Sequence, residues 1–200
     1  MTSIRMILLG LVAATVSACS SMDVASRNAP LDVPALSADA QVVERNYAVQ
    51  DITYTAPEDL SVSERNWYYP LADIVWRGDP VGDRKAQIGE MFKTAAQRGV
   101  MQQDGAVPVI LDIELIRFHG VSERTRFSVG GNYNIVFWLS VRHADTGVII
   151  EEPRKVVLNL SAPGGSAAIL AEQRGQTEKV RVTDYLTQVF KDEIKGQVVL

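Results

Sequence analysis

The chain has 200 residues, of which 20 are basic and 24 acidic, giving a formal net charge of −4 with neutral histidines. This length suffices for one domain with a sizeable core. Since no block of lysines and arginines occurs, the composition argues against nucleic acid as a partner and against binding to a bilayer by charge alone. Cys19 is the only cysteine, so the chain can form neither an intrachain disulfide nor a cysteine-based metal site.

The N-terminal residues predict a secretory signal peptide, residues 1–18, that is cleaved after Ala18. Arg5 supplies a charged start, residues 6–16 form an apolar run, and two small residues follow it. The run is shorter than the roughly 20 residues that span a bilayer. A cysteine directly after such residues resembles a bacterial lipobox. The resemblance implies that the Cys19 thiol carries a diacylglyceryl group and begins the mature protein.

A lipid on Cys19 predicts a membrane as the first partner, because two or more acyl chains hold a protein stably on a bilayer. By resemblance to proteobacterial lipoproteins, Ser20 rather than an aspartate favours the outer over the inner membrane, with the protein facing the periplasm. Residues 19–41 mix Ser, Asn, Ala, Asp and Pro without a period and predict a flexible tether. Residues 42–200 are expected to form a single globular domain.

The first regular segment is a strand predicted over residues 47–55. An aromatic stretch follows within residues 61–79 and contains Trp67, Tyr69 and Trp76. Such a cluster either folds onto the core or forms an exposed recognition surface, and the pattern leaves both open. As a surface, it makes Trp67, Tyr69 and Trp76 candidate partner-binding residues.

A helix is predicted to begin with Asp79 as its N-cap and Pro80 in its first turn, and to end at Gly99. Its apolar positions recur at helical spacing: Ile88, Met91, Phe92 and Ala95.

Residues 107–118 alternate as a strand with one apolar face. Asp112 and Glu114 lie on its other face, where a pair of carboxylates can perform acid–base chemistry or share a cation; a half-solvated strand face is the favoured interpretation. His119 and His143 are the only histidines, and neither has metal-ligand spacing. No metal or other cofactor is therefore expected.

The rest of the chain predicts a meander and a closing helix. A polar loop over residues 120–132 contains Arg124, a fourth candidate partner-binding residue. Residues 133–143 predict a strand, residues 144–147 a hairpin turn, and residues 148–150 and 156–160 two short strands interrupted by Pro153 at an edge or bulge. Three further segments complete the chain: a connection at 163–166, a short helical turn at 167–174, and a helix that starts between Thr177 and Thr183 and points Val182, Leu186, Val189, Phe190 and Ile194 inward.

The order strand, helix, three strands, helix predicts an α+β two-layer sandwich with a four-stranded, largely antiparallel sheet and two helices on one face. At this level the chain resembles auxiliary lipoproteins of lipid-transporting ABC systems and the lipoprotein partner of the lipopolysaccharide assembly barrel. Three stretches, residues 70–84, 117–126 and 175–177, resemble an uncharacterised lipoprotein family of alphaproteobacteria. That resemblance covers the mature domain and implies location and fold, but no catalytic residue.

These observations favour a non-enzymatic accessory lipoprotein that binds an envelope protein complex or a lipid ligand, with Trp67, Tyr69, Trp76 and Arg124 as its candidate contacts. The alternative hypothesis is a weak envelope hydrolase that uses Asp112, Glu114 and His119. The sequence displays no convergent set of titratable groups of the kind that enzyme sites require, which favours the binding protein.

Overall fold

A computed structural model describes residues 42–101 and 103–199. The signal peptide, Ala18, Cys19 and the tether predicted over residues 19–41 lie outside the described residues. The described elements, in chain order, are β1 (Val42–Glu44), β2 (Tyr47–Thr55), β3 (Ile74–Val75), α1 (Arg84–Val100), β4 (Val107–His119), α2 (Glu123–Arg126), β5 (Gly131–His143), β6 (Ile149–Ala162), α3 (Gly165–Gln173), α4 (Glu178–Glu193) and β7 (Gln197–Val199). No described helix combines the length and the apolar character needed to span a membrane.

The main sheet has the strand order β2, β4, β5, β6, with β3 added beside the last residues of β4. β4, β5 and β6 form the predicted antiparallel meander. β2 pairs with β4 in parallel, because α1 carries the chain back to the starting end of the sheet. The predicted two-layer α+β sandwich is confirmed.

Helices α1 and α4 pack together against one face of the sheet and enclose the core. Period-2 alternation places the bulky residues of β4 and β5 on that face, and period-3.6 spacing does so for the helices. The centre of this core is an aromatic cluster in which Phe92 of α1 contacts Phe137 of β5 and Phe190 of α4, with ring centroids 5.2 and 6.1 Å away. All three side chains are fully buried.

The prediction of Asp79 as the helix N-cap is wrong, since α1 begins one turn later. Asp83 is the N-cap and accepts a hydrogen bond from the Ala86 backbone N–H at 3.1 Å. Asp79 instead accepts hydrogen bonds from Trp76 Nε1 at 2.8 Å and Lys179 Nζ at 2.6 Å. The Asp79 side chain, which the local sequence predicts as a helix cap, therefore binds two residues from other parts of the fold instead.

Gly99 does not end α1, which continues through Val100. A Cβ atom at Gly99 would lie 2.8 Å from the Thr187 carbonyl oxygen and 3.0 Å from the Lys191 backbone nitrogen, both on α4. The glycine therefore allows the two helices to approach closely.

The last two predicted strands are one continuous strand, β6. The pairing of β5 with β6 shifts register between Leu139 and Val141, whose partners are Arg154 and Glu151. Pro153 thus lies in a bulge on the outermost strand of the described sheet, as expected, and the bulge absorbs the proline without ending the strand.

The main sheet has two dissimilar ends. The described chain enters at the end where β2 and β4 begin and β5 finishes; we call it the entry end. At the opposite end, the loop end, β4 finishes at His119 and β5 begins at Gly131, opposite Ala162. The 13 residues of β4 separate the two ends by about 40 Å. A second small sheet, in which β1 pairs with β7, lies beyond the start of β2.

Candidate partner-binding surface

The structure divides the aromatic stretch between core and surface. The Trp76 side chain is 0% exposed, and its ring meets Phe118 edge-on at 5.5 Å between centroids. The candidate role of Trp76 in partner binding is therefore wrong. Burial of so large a side chain is favourable because Asp79 accepts a hydrogen bond from its indole N–H.

Trp67 and Tyr69, in contrast, lie at the surface, with 50% and 83% of each residue exposed. Tyr68 and Leu71 beside them are 45% and 92% exposed. Exposed large apolar side chains that stand together are uncommon on monomeric proteins and mark interaction sites. The structure thus supports both interpretations of the stretch, each for different residues.

The exposed aromatic residues belong to a loop whose base is held together by hydrogen bonds; we call residues 63–73 the aromatic loop. At its base, the Ser63 N–H donates to the Ile74 carbonyl at 3.0 Å, and the Ile74 N–H donates to the Ser61 carbonyl at 2.9 Å. Ser61 Oγ also donates to Asp73 Oδ2 at 2.6 Å. These contacts fix both ends of the loop, so its aromatic side chains project from a defined frame.

Helix α2 brings Arg124 to the aromatic loop. Ser122 caps this short helix by accepting from the Thr125 N–H, and Thr125 Oγ1 donates to the Tyr68 carbonyl at 2.9 Å. The Arg124 N–H donates to Asn66 Oδ1 at 2.7 Å, and the Arg124 guanidinium lies 5.3 Å from the centroid of the Tyr68 ring. Arg124, which is far from the aromatic loop in sequence, therefore lies beside it in the fold, next to Tyr68.

A second arginine on this surface was not among the candidates. The Arg65 guanidinium lies over the Trp67 ring, 4.5 Å from its centroid. The only sign of this pair in the sequence is that Arg65 and Trp67 are separated by one position. An irregular loop has no period, so this spacing does not predict that the two side chains meet. We call the six residues Arg65, Trp67, Tyr68, Tyr69, Leu71 and Arg124 the aromatic patch.

The predicted polar loop over residues 120–132 is exposed only in part, because Arg126 is buried. Its guanidinium lies 3.1 Å from Glu178 Oε2 and 3.3 Å from Glu172 Oε2. The prediction of a polar loop is corrected, because residues 123–126 of this range form the short helix α2 and Arg126 points inward. Arg126 ties α2, and with it Arg124, to the start of α4.

Burial dominates the titration of this inner cluster. It raises the pKa of the Glu178 carboxyl, and the neighbouring Tyr133 hydroxyl and the charges of Arg126 and Arg181 offset this effect only in part. Burial likewise holds the pKa of the Tyr133 phenol well above its usual value. Neither Tyr133 Oη nor Glu178 Oε2 has a hydrogen-bond partner among the described residues. The buried polar cluster that holds α2, and with it Arg124 of the aromatic patch, therefore contains side-chain oxygens that lack hydrogen bonds.

The three residues of the hydrolase hypothesis do not converge. Asp112 accepts hydrogen bonds from Thr53 Oγ1 at 2.5 Å and Arg142 Nε at 2.8 Å, as a partly solvated strand face would predict, and Glu114 is exposed beside it. His119 lies seven residues beyond Asp112 on β4, roughly 20 Å from it. The His119 Nδ1 is 2.9 Å from the Ala72 carbonyl oxygen. Nowhere in residues 42–101 and 103–199 do three His, Cys, Asp or Glu side chains form a metal-binding group.

A shallow groove of about 550 Å³ lies on the face of the sheet opposite the helices. Its lining includes Asp112, Glu114, Trp138 and the hydroxyl residues Thr53, Thr55 and Ser140. The ion pair of Asp112 with Arg142 already uses one of the two carboxylates. Among the described residues that line it, the groove therefore offers the Glu114 carboxylate outside any ion pair and the Trp138 indole, but no histidine.

Solved structures similar to this chain include the following three proteins. A candidate lipoprotein from Caulobacter crescentus CB15 is 14% identical, with a TM-score of 0.32 over 53% of this chain and 79% of that protein. A Xanthomonas campestris protein of the family DUF330 is 13% identical, with a TM-score of 0.44 over 76% and 83%. An uncharacterized protein is 16% identical, with a TM-score of 0.35 over 76% and 89%.

No curated protein sequence matches this chain. Residues 47–199 match a family of unknown function, and this match runs from the first residue of β2 to the last residue of β7, so it includes the main sheet, all four helices and the whole aromatic patch. The chain therefore belongs to the family of unknown function DUF6778.

Proposed function

We propose that this protein is a membrane-anchored periplasmic lipoprotein that acts without catalysis, as an accessory or binding subunit of a cell-envelope complex. The observation that carries the proposal is the aromatic patch, in which Trp67, Tyr68 and Tyr69 are exposed side by side on a loop fixed at its base. Aromatic residues and arginine are enriched in protein interfaces, where a few of them supply most of the binding energy.

The anchor in this proposal is the lipid expected on Cys19, with the outer membrane favoured by Ser20. Lipid attachment places the domain at the envelope, and the aromatic patch supplies the contact with the complex. The resemblance to auxiliary lipoproteins of lipid-transporting and lipopolysaccharide-assembly systems makes those assemblies the first to examine.

The test is chemical crosslinking in native membranes, followed by affinity purification and quantitative mass spectrometry. We expect the anchored protein to recover one stoichiometric envelope complex, and the Cys19→Ala form to lose it and to accumulate as the larger precursor. In the Trp67→Ala/Tyr69→Ala double variant, recovery should fall at least tenfold.

Trp138→Ala is the matched control, because Trp138 is also a surface tryptophan but lies on the open face of the sheet. It should recover the complex as the unchanged protein does. Equal recovery with the double variant and the control would refute the role of the aromatic patch. Normal maturation of Cys19→Ala would refute the lipid anchor.

A further inference from the structure

We infer that the aromatic patch docks a partner protein whose apolar contact surface is flanked by carboxylates. This inference rests on the proposed function and deepens it, because it names the chemistry that the patch selects. The arginines of the patch carry the argument.

Arg65 and Arg124 are prepared for anions. Each guanidinium lies over an aromatic ring of the patch, at 4.5 Å and 5.3 Å from the ring centroids. A guanidinium placed over a ring keeps N–H donors that can bind a carboxylate in a bidentate manner. Both residues are exposed, and within the described part of the chain neither guanidinium forms an ion pair.

The carboxylates on the same loop are already engaged. Glu64 binds Arg84 through both oxygens, at 2.7 and 3.1 Å, and also pairs with Arg77 at 3.1 Å. Asp73 accepts from the Ser61 hydroxyl and N–H at the base of the loop. Hydrogen bonds from these partners lower the pKa of both carboxyls. The two carboxylates of the loop are therefore engaged elsewhere and leave the guanidinium groups of Arg65 and Arg124 for a partner.

A protein surface fits the patch better than a bilayer. Binding to anionic lipid by charge requires a cluster of about 4–8 basic residues, whereas this patch has two arginines on a chain of net charge −4. Trp, Tyr and Arg together are the residues that dominate protein–protein binding energies.

The test uses the full chain in native membranes, with a photoreactive benzoylphenylalanine in place of Leu71, which is 92% exposed within the patch. We expect one crosslinked protein, whose crosslinked segment carries Asp or Glu beside apolar residues. In the Arg65→Glu/Arg124→Glu variant the crosslinked yield should fall at least tenfold. Replacement of the partner's carboxylates by arginine should restore it.

Arg98→Glu is the control, since Arg98 is an exposed arginine on α1, outside the patch. It should leave the yield unchanged. Crosslinks to phospholipid alone would overturn the inference. If charge reversal leaves the yield intact while Trp67→Ala/Tyr69→Ala abolishes it, the proposed function stands and the carboxylate partner is refuted; if neither variant lowers it, both fail. Unchanged urea midpoints confirm that the variants fold.

Discussion

The two ends of the sheet each bury a glutamate among an arginine and a tyrosine, yet the two clusters behave in opposite ways. At the entry end, Glu151 accepts hydrogen bonds from Arg45 at 2.7 and 2.9 Å and from Tyr47 at 2.8 Å. Burial opposes its ionisation, but these hydrogen bonds exceed that penalty and lower the pKa of its carboxyl.

At the loop end, Glu178 lies among Arg126 and Tyr133 without a complete set of hydrogen bonds, and burial raises the pKa of its carboxyl. The depth of burial and the number of hydrogen bonds to the carboxylate, rather than the identity of the neighbouring residues, therefore decide whether a buried charge is stable. The satisfied cluster joins β2, β6 and the small sheet, since Arg45 also donates to the carbonyl of Gln197 in β7 at 3.3 Å. The unsatisfied cluster lies behind the aromatic patch.

The largest expected effect is the loss of the charge at the entry end. Glu151→Gln should lower the free energy of unfolding by about 3 kcal/mol, because it removes one partner of a buried ion pair and leaves the Arg45 charge without its anion. Urea unfolding at pH 7 measures the change. Glu152→Gln, at the exposed neighbouring position, should stay within about 0.5 kcal/mol. Equal effects of the two substitutions would contradict the role of the cluster.

The pH dependence should separate the two glutamates by sign. The lowered pKa of Glu151 gives stability that is present above the usual glutamate value, near 4.5, and is lost as pH falls through the folded pKa. The raised pKa of Glu178 gives stability that is present below that value and is lost as pH rises through the folded pKa.

Between pH 3.5 and 7, Glu151→Gln should therefore become less stable relative to the unchanged protein as pH rises, by about 1.4 kcal/mol for each unit of the pKa shift. Glu178→Gln should become more stable relative to it over the same range. Urea midpoints at four pH values measure both slopes. Two slopes of the same sign would show that the clusters do not differ.

The smallest expected effect concerns the two tyrosine hydroxyls. Tyr47→Phe should cost about 1 kcal/mol, because it removes a buried hydrogen bond to Glu151. Tyr133→Phe should cost less than Tyr47→Phe, because among the described residues the Tyr133 hydroxyl forms no well-aligned hydrogen bond. Parallel urea titrations compare the two variants. A larger loss of unfolding free energy for Tyr133→Phe than for Tyr47→Phe would contradict the conclusion that the entry end has the better hydrogen-bonded cluster.

Much of the fold follows from patterns in the sequence. The strand predicted over residues 47–55 is confirmed at both bounds, and the inward faces of β4, β5 and α4 are those that period-2 and period-3.6 spacing indicate. These elements were predictable because an apolar face must be buried, and its repeat identifies the element. β1 and β7 were not predicted, since each has three residues and its partner lies about 155 positions away.

The sequence predicted that aromatic residues and an arginine would form the candidate surface, but not which of these residues would be exposed. An aromatic stretch without a period does not show which rings will be buried in the core. Trp76 is buried there, whereas Trp67 and Tyr69 are exposed. Arg124 was chosen from a loop of mixed charge, and only α2 docking placed it beside Tyr68. No local feature distinguished Arg124 from Arg126, its buried neighbour two positions on.

By itself, the sequence determined the succession of the long strands and helices, the faces that form the core, the family, and the expectation of a lipid on Cys19. Each of these depends on residues that are close together in the chain, and their spacing can be read directly from the sequence. The tertiary structure alone decided which aromatic side chains remain exposed, which arginines are left without anions, and which buried glutamate is satisfied. Those properties depend on contacts between segments far apart in sequence, where tenths of an ångström determine whether a hydrogen bond forms.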